Sequence, residues 1–201
     1  KRVLLIAGSD DTQRRTAEAA RKQLESRGVR VVARLGVSEQ MDGALRQLAQ
    51  TEAPDAVLLV LKGPQARIVA PQLALAGMAG LPRVASSQIV SGTGKAAEDA
   101  ALDGIVFPTE SWLVQRVAGL PSQASAADRV NTAKGPAARL FAFGLDAWRL
   151  TGYLEHLALT NSGIVGATGR LRLDGFGNVL RRPGWTRFVG GQPVPLGDGA
   201  R

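Results

Sequence analysis

Asp55-Ala56-Val57-Leu58-Leu59-Val60-Leu61 is the stretch on which the fold turns. After its first residue it holds no polar side chain, and Lys62-Gly63-Pro64 ends it abruptly. A strand with one wet face alternates polar and apolar residues; a continuous apolar run this short reads as a parallel strand covered on both sides. Val3-Leu4-Leu5-Ile6-Ala7 is a second run of the same kind, and Val29 to Leu35, Leu81-Pro82-Arg83-Val84-Ala85 and Gly104 to Phe107 read as three more strands. Between them the apolar period lengthens. Ala17, Ala20 and Leu24 keep helical spacing after the turn Gly8-Ser9-Asp10-Asp11, and Gly28 stops that helix. Met41, Leu45 and Leu48 mark a second helix, and a third is expected to turn Ile68, Leu73 and Ala76 inward, with Pro71 as a kink or a late start. A weak helix near Lys95 to Leu102 precedes the fifth strand. Strands alternating with helices imply βαβ units and a parallel sheet.

The pattern changes after Trp112. Gly119 to Gly135 reads as a long connection or a frayed helix, and Pro136 opens an apolar helix expected to run to about Leu159, carrying Leu140, Phe141, Gly144, Leu145, Trp148 and Leu154. From Val165 to Leu196 the chain reads as antiparallel hairpins, turning at Asp174 to Asn178 and at Gly190-Gly191. The expected organisation is an α/β part over residues 1–112, a connection over 113–135, and a crossover helix with C-terminal β-hairpins over 136–201.

The 201 residues are 45% hydrophobic, enough for a real core, and the apolar runs fall far below the ~20 residues of a membrane span. No secretory signal precedes the first strand, so any targeting segment is expected to have been removed. With no cysteine there are no disulfides or thiolate ligands. The net charge of +8 favours an anionic partner or surface, or is a solvated basic face; aromatic residues, at 4%, are too few for the stacking platforms of single-strand nucleic-acid binders.

Catalytic constellations do not assemble. Gly92-Thr93-Gly94-Lys95 fails as a phosphate-binding P-loop, because Ile89 and Ala96 stand where a glycine and a hydroxyl are needed. His156 is the only histidine; near a helix end it is expected to serve that terminus. Asp10, Asp11, Asp99, Asp103 and Glu110 could pair as acids, but Asp10 or Asp11 is better read as a helix cap and Asp103 as shaping the turn into the fifth strand. The expectation is no catalytic residue, no metal and no cofactor. A parallel sheet instead places loops at the carboxyl ends of its strands, where ligands bind. Ser9, Asp10, Thr12, Lys62, Ser86, Ser87, Gln88 and Glu110 are the candidate binding residues from those loops, which either hold a ligand or are simply well-formed turns.

Several stretches carry a resemblance. Arg139-Leu140-Phe141-Ala142-Phe143-Gly144-Leu145-Asp146-Ala147-Trp148, then Gly166-Ala167-Thr168-Gly169-Arg170-Leu171, then Arg181 to Val194 resemble the C-terminal domain of the LppC/LpoA family of outer-membrane lipoproteins. Upstream, Ala66-Arg67-Ile68 to Leu73, Leu81-Pro82 to Ser87, and Leu102-Asp103-Gly104-Ile105 with Trp112-Leu113 fall in the family's order, although Ser111 stands where proline is expected. The resemblance implies a type I periplasmic-binding-protein-like α/β fold: a parallel sheet with flanking helices, mainly the second lobe, plus a long C-terminal helix and antiparallel hairpins. It also implies that the chain begins at the second lobe, without the helical-repeat N-terminal domain and the lipid-bearing cysteine.

The implied function is non-enzymatic: a regulator of peptidoglycan synthesis that binds and activates a class A penicillin-binding protein, with peptidoglycan as a further candidate partner and no nucleic acid. It would work in the periplasm, held at the outer membrane only through a lipid anchor outside this chain. The alternative is a periplasmic domain that senses an amino acid or a cell-wall fragment. Asp146 is expected to be structural. Arg14, Arg15, Arg21 and Lys22 lie on the polar side or ends of the first helix and form either a docking patch for the synthase or an ordinary solvated face.

Overall fold

The computed structural model describes residues 1–90, 95–160 and 162–197. The chain forms two compact units. The first takes Lys1–Ser91, Lys95–Phe107 and Arg187–Gln192, and the second is built chiefly from Pro108–Thr186.

In the first unit β1 (Arg2–Ala7), β2 (Arg30–Gly36), β3 (Ala56–Val60), β4 (Arg83–Ala85) and β5 (Val106–Thr109) lie in the order β5-β4-β3-β1-β2, every pairing parallel. Central strands need both faces covered, and β1 accordingly buries all but its first residue. The edge strand β2 is mostly half-exposed and carries Arg30 and Arg34, charges that discourage edge-to-edge pairing. Around this sheet pack α1 (Asp11–Glu25), α2 (Asp42–Thr51), α3 (Gly63–Leu75) and the short α4 (Ala96–Asp99). Gly28 ends the α1 segment at φ +74°, a left-handed conformation that glycine adopts without strain. The βαβ order expected from the apolar runs is present throughout.

Two expectations need correction. Ile68 is 42% exposed, and α3 buries Ala66, Val69, Ala70 and Leu73 instead. Those four keep the i, i+3, i+4, i+7 spacing, which puts Ile68 on the opposite face. Pro71 lies within α3, neither delaying its start nor ending it. The two C-terminal strands β9 (Gly184–Val189) and β10 (Gln192–Pro195) are a hairpin that joins β5 and extends the large sheet to seven strands. Asp103 anchors their turn, accepting from the backbone N–H of Gly190 (2.9 Å) and Gly191 (2.7 Å), while Phe188 stacks on Phe107 with ring centroids 4.7 Å apart.

The second unit holds α5 (Gln123–Ala127), α6 (Ala138–Thr151), α7 (Leu154–Leu159) and an antiparallel sheet of β6 (Ile164–Gly166), β7 (Gly169–Leu173) and β8 (Val179–Arg182). The connection expected over Gly119 to Gly135 is thus folded, contributing Ala126 and Ala133 to a core around Trp112. Trp112 donates its indole N–H to the Pro121 carbonyl at 2.7 Å and stacks on Phe141. The single helix expected to Leu159 breaks at Gly152, a poor helix former, and restarts as α7 after Tyr153. Only Ala138, Ala142 and Asp146 of α6 are buried, while Leu140 and Trp148 are 75% and 73% exposed.

Candidate functional site

In the first unit β1, β3 and β4 run parallel and end in turns that start new elements. Asp10 caps α1, its Oδ1 accepting from the Gln13 backbone N–H at 2.8 Å. Lys62 holds the matching place before α3, where its backbone N–H donates to Gln65 Oε1 at 3.1 Å. The two helix starts are tied to each other: Lys62 Nζ lies 2.9 Å from Asp10 Oδ2, and the Gln13 and Gln65 amides meet at 2.6 Å. Turned over, the Gln13 amide also donates to Asp10 Oδ2 (3.0 Å) and accepts from Lys62 N (3.2 Å). Gln13 is fully buried, and a Cβ at Gly8 would overlap its carboxamide, so glycine is needed there. The Gln13 backbone N–H, and after it the Lys62 ammonium, hold the Asp10 carboxyl below its ordinary value.

Over these groups opens a pocket of about 650 Å³, lined by Asp10, Asp11, Thr12, Lys62, Gly63, Pro64, Gln88 and Val90. The Ser86 hydroxyl and Gln88 Oε1 are buried without a hydrogen-bond partner among the described residues. The charges of the pocket are largely matched within it, so it suits a small polar or zwitterionic solute better than a bare anion.

Of the loop residues expected to bind, the structure brings Asp10, Thr12, Lys62 and Gln88 into this pocket wall. Ser9 is exposed beside it, and Ser86 and Ser87 start the adjoining 3-10 turn without lining it. Glu110 is the exception and corrects the expectation. It belongs to the second unit and is 1% exposed, clamped by one edge of the Arg139 guanidinium: Nε to Oε2 at 2.9 Å and Nη2 to Oε1 at 3.0 Å. Arg181 adds a second cation at 3.8 Å while lying over the Phe143 ring. Gln13 and Gln65 were missed. The available signal was a repeated spacing, Asp10-x-x-Gln13 and Lys62-x-x-Gln65, the form of a capping box.

The expected α1 patch is accessible but not bare. Arg14, Arg15 and Lys22 are exposed and Arg21 is half-buried. Asp11 pairs with Arg14 (3.1 Å) and Arg15 (2.6 Å), and Glu18 with Arg21 (2.7 Å) and Lys22 (3.8 Å). Glu25 takes the other side of Arg21 at 2.7 Å. Four cations therefore face three carboxylates, a ladder of intrahelical pairs with little net field.

Asp146 is structural, as expected. It is 3% exposed and accepts from the backbone N–H of Ala167 (2.5 Å) and of Thr168 (2.8 Å), and from the Thr168 hydroxyl (2.6 Å). Its acceptance of the turn between β6 and β7 fastens α6 to the small sheet. His156 serves its own helix end, with Nε2 3.4 Å from the hydroxyls of Thr160 and Ser162. Gly92 to Gly94 of the P-loop-like stretch lie outside the described residues. Among the described residues no group of three or more His, Cys, Asp or Glu could hold a metal ion, and no helix is long and apolar enough to cross a membrane.

No curated protein sequence matches the chain. Solved structures do. Full-length LpoA from Haemophilus influenzae superposes with a TM-score of 0.73 at 20% identity, over 98% of this chain and 36% of that one. The LpoA C-domain from the same organism, named a regulator of PBP1A, gives 0.70 at 20% identity, with 98% of this chain and 61% of that domain covered. Leucine binding protein LivK from Thermotoga maritima gives 0.65 at 16%, over 98% and 59%. The fold is thus α/β and periplasmic-binding-protein-like, with a mostly parallel sheet and a small antiparallel one. The chain spans about a third of full-length LpoA. Residues 11–191 match the family model described as LppC putative lipoprotein, and the chain belongs to the LppC family.

Proposed function

We propose that this domain is a non-catalytic regulator of peptidoglycan synthesis, which binds a class A penicillin-binding protein and raises its activity from the outer membrane. The observation that carries this reading is the family match over residues 11–191, joined to the likeness to the LpoA C-domain named a regulator of PBP1A. The charge pattern agrees with a binding role. Buried carboxylates are occupied by structural partners, as at Glu110 and Asp146, rather than poised toward a substrate. We propose docking on the accessible face of α1, where the ladder of Arg14, Arg15, Arg21 and Lys22 offers charges that a partner's carboxylates can share.

Adding the purified domain to a purified class A synthase should raise its glycan polymerisation rate, and the two should co-elute at low salt. Absence of both effects would sink the reading. Reversal of the four α1 cations to Glu should weaken activation and flatten its salt dependence; unchanged activation would move docking off α1.

A second reading, a solute sensor, is favoured by the pocket over Asp10 and Lys62 with the unpartnered Gln88 oxygen in its wall. Under that reading an amino acid or wall fragment should raise the melting temperature of the domain. A ligand at a hundred times its Kd adds about 2.7 kcal/mol. That shift should disappear in Lys62→Ala.

A further inference from the structure

The second unit has a pocket of its own, about 270 Å³, remote in sequence from the loops discussed above and lined among others by Ser111, Val165, Arg170, Arg182, Trp185 and Thr186. Its floor is set by strand register. Val165 pairs with Arg170 across β6 and β7, and Arg170 pairs with Arg182 across β7 and β8, so the three side chains form one row on one face of the small sheet. The next rung, on the opposite face, carries Leu171 and Arg181, which turn toward the core and Glu110.

Two like charges directly opposite each other in an antiparallel pair destabilise the sheet. Elsewhere this chain pairs its cations freely, along α1 and around Glu110. Arg170 donates to the Ser162 carbonyl at 3.1 Å, yet neither Arg170 nor Arg182 meets a carboxylate among the described residues. Beside them stand groups of a different chemistry. Trp185 is 44% exposed in the pocket wall, an indole available for stacking. Ser111 is 7% exposed; a Cβ at Gly184 would come within 2.8 Å of its Oγ, so glycine keeps that hydroxyl uncrowded.

We infer that this pocket binds a sugar carrying a carboxylate. The arginine pair takes the carboxylate, which relieves the repulsion between them. The indole takes the apolar C–H face of the ring, and the Ser111 hydroxyl takes a ring substituent. A volume just under the ~300 Å³ at which drug-sized sites begin limits the occupant to about one sugar unit. The inference stands apart from the synthase reading, since it uses neither α1 nor the pocket over Asp10.

The test follows the three indole N–H signals of the isotopically labelled chain, with the Trp185 signal identified by Trp185→Phe. N-acetylmuramic acid should shift that signal saturably while the buried Trp112 signal stays in place. N-acetylglucosamine, the same ring without the carboxylate, and acetate, the carboxylate without the ring, should each bind at least about tenfold more weakly, the order of one charge-assisted hydrogen bond. Arg182→Ala should weaken the acid sugar by a similar factor. Arg182→Lys, which keeps the charge, should restore part of the binding lost in Arg182→Ala and so guards against a loss through misfolding. No saturable shift, equal binding of acetate, or equal binding of the neutral sugar would each overturn the inference.

Discussion

Most carboxylates of the first unit and the two buried ones of the second stand in different surroundings. In the first unit most sit at the rim: the Asp10 side chain is 37% exposed where it caps α1, and the acids of the α1 ladder are 39–58% exposed, while Asp99, 7% exposed and paired with Arg67 at 2.9 Å, is buried. The interior there is hydrocarbon, with Leu4, Leu5, Ile6, Leu59 and Leu61 fully buried around the parallel strands. In the second unit two carboxylates are inside. Glu110 and Asp146 are 1% and 3% exposed, and each holds together segments that share no hydrophobic seam of comparable size. A sheet covered on both faces supplies enough apolar area to organise itself. A small three-stranded sheet beside one helix does not, and buried hydrogen-bonded ions specify its arrangement instead.

The largest expected effect breaks this comparison at its sharpest point. Arg139→Ala strips the clamp from a carboxylate with almost no access to water, and breaking such a pair costs about 3–5 kcal/mol in urea unfolding. Replacing both partners, Arg139→Met with Glu110→Leu, should recover most of that loss, since the penalty lies in the unpaired charge. A loss in the double variant as large as in the single one would mean that the pair contributes more than it costs. Next comes Asp146→Ala, which leaves the Ala167 and Thr168 N–H groups buried without an acceptor. A destabilisation of about 2–3 kcal/mol is expected, together with faster amide exchange in β6 and β7 and little change in β1 and β3. Equal loss of protection in both units would show that they unfold as one.

The smallest effect belongs to the rim. Asp10→Asn keeps an acceptor for the Gln13 N–H but loses the pairing with Lys62. Because the folded-state value of Asp10 is lowered, its stabilisation is fully present above the ordinary carboxylate value of 3.8 and is lost as pH falls through the folded value. The gap in melting temperature between the parent and Asp10→Asn should therefore be small and constant near neutrality, and should close below about pH 4. A gap that widened on acidification would contradict the lowered value.

Much of the first unit was legible because its evidence is local. An unbroken apolar run such as Val57 to Leu61 admits few structures, and an Asp ahead of a helical period is a cap wherever the helix goes. Even there, the period of α3 was misread at Ile68, since Pro71 obscured which of two faces the sheet covers. The candidate pocket was half legible: parallel strands dictate where its loops gather, but Gln13 is buried only because α1 and α3 start side by side.

What the sequence determined by itself is the set of βαβ units, their order, the Asp10 cap and the membership of residues 11–191 in the LppC family. Tertiary structure alone decided the rest. Glu110 meets Arg139 across 29 residues, Asp146 meets Thr168 across 22, and Arg170 faces Arg182 only because β7 and β8 pair in that register. A charged residue carries no mark in the sequence saying which distant partner will neutralise it or whether any will. Burial and pairing of ions depend on which surfaces the folded chain brings together, and a single sequence records the groups without the distances between them.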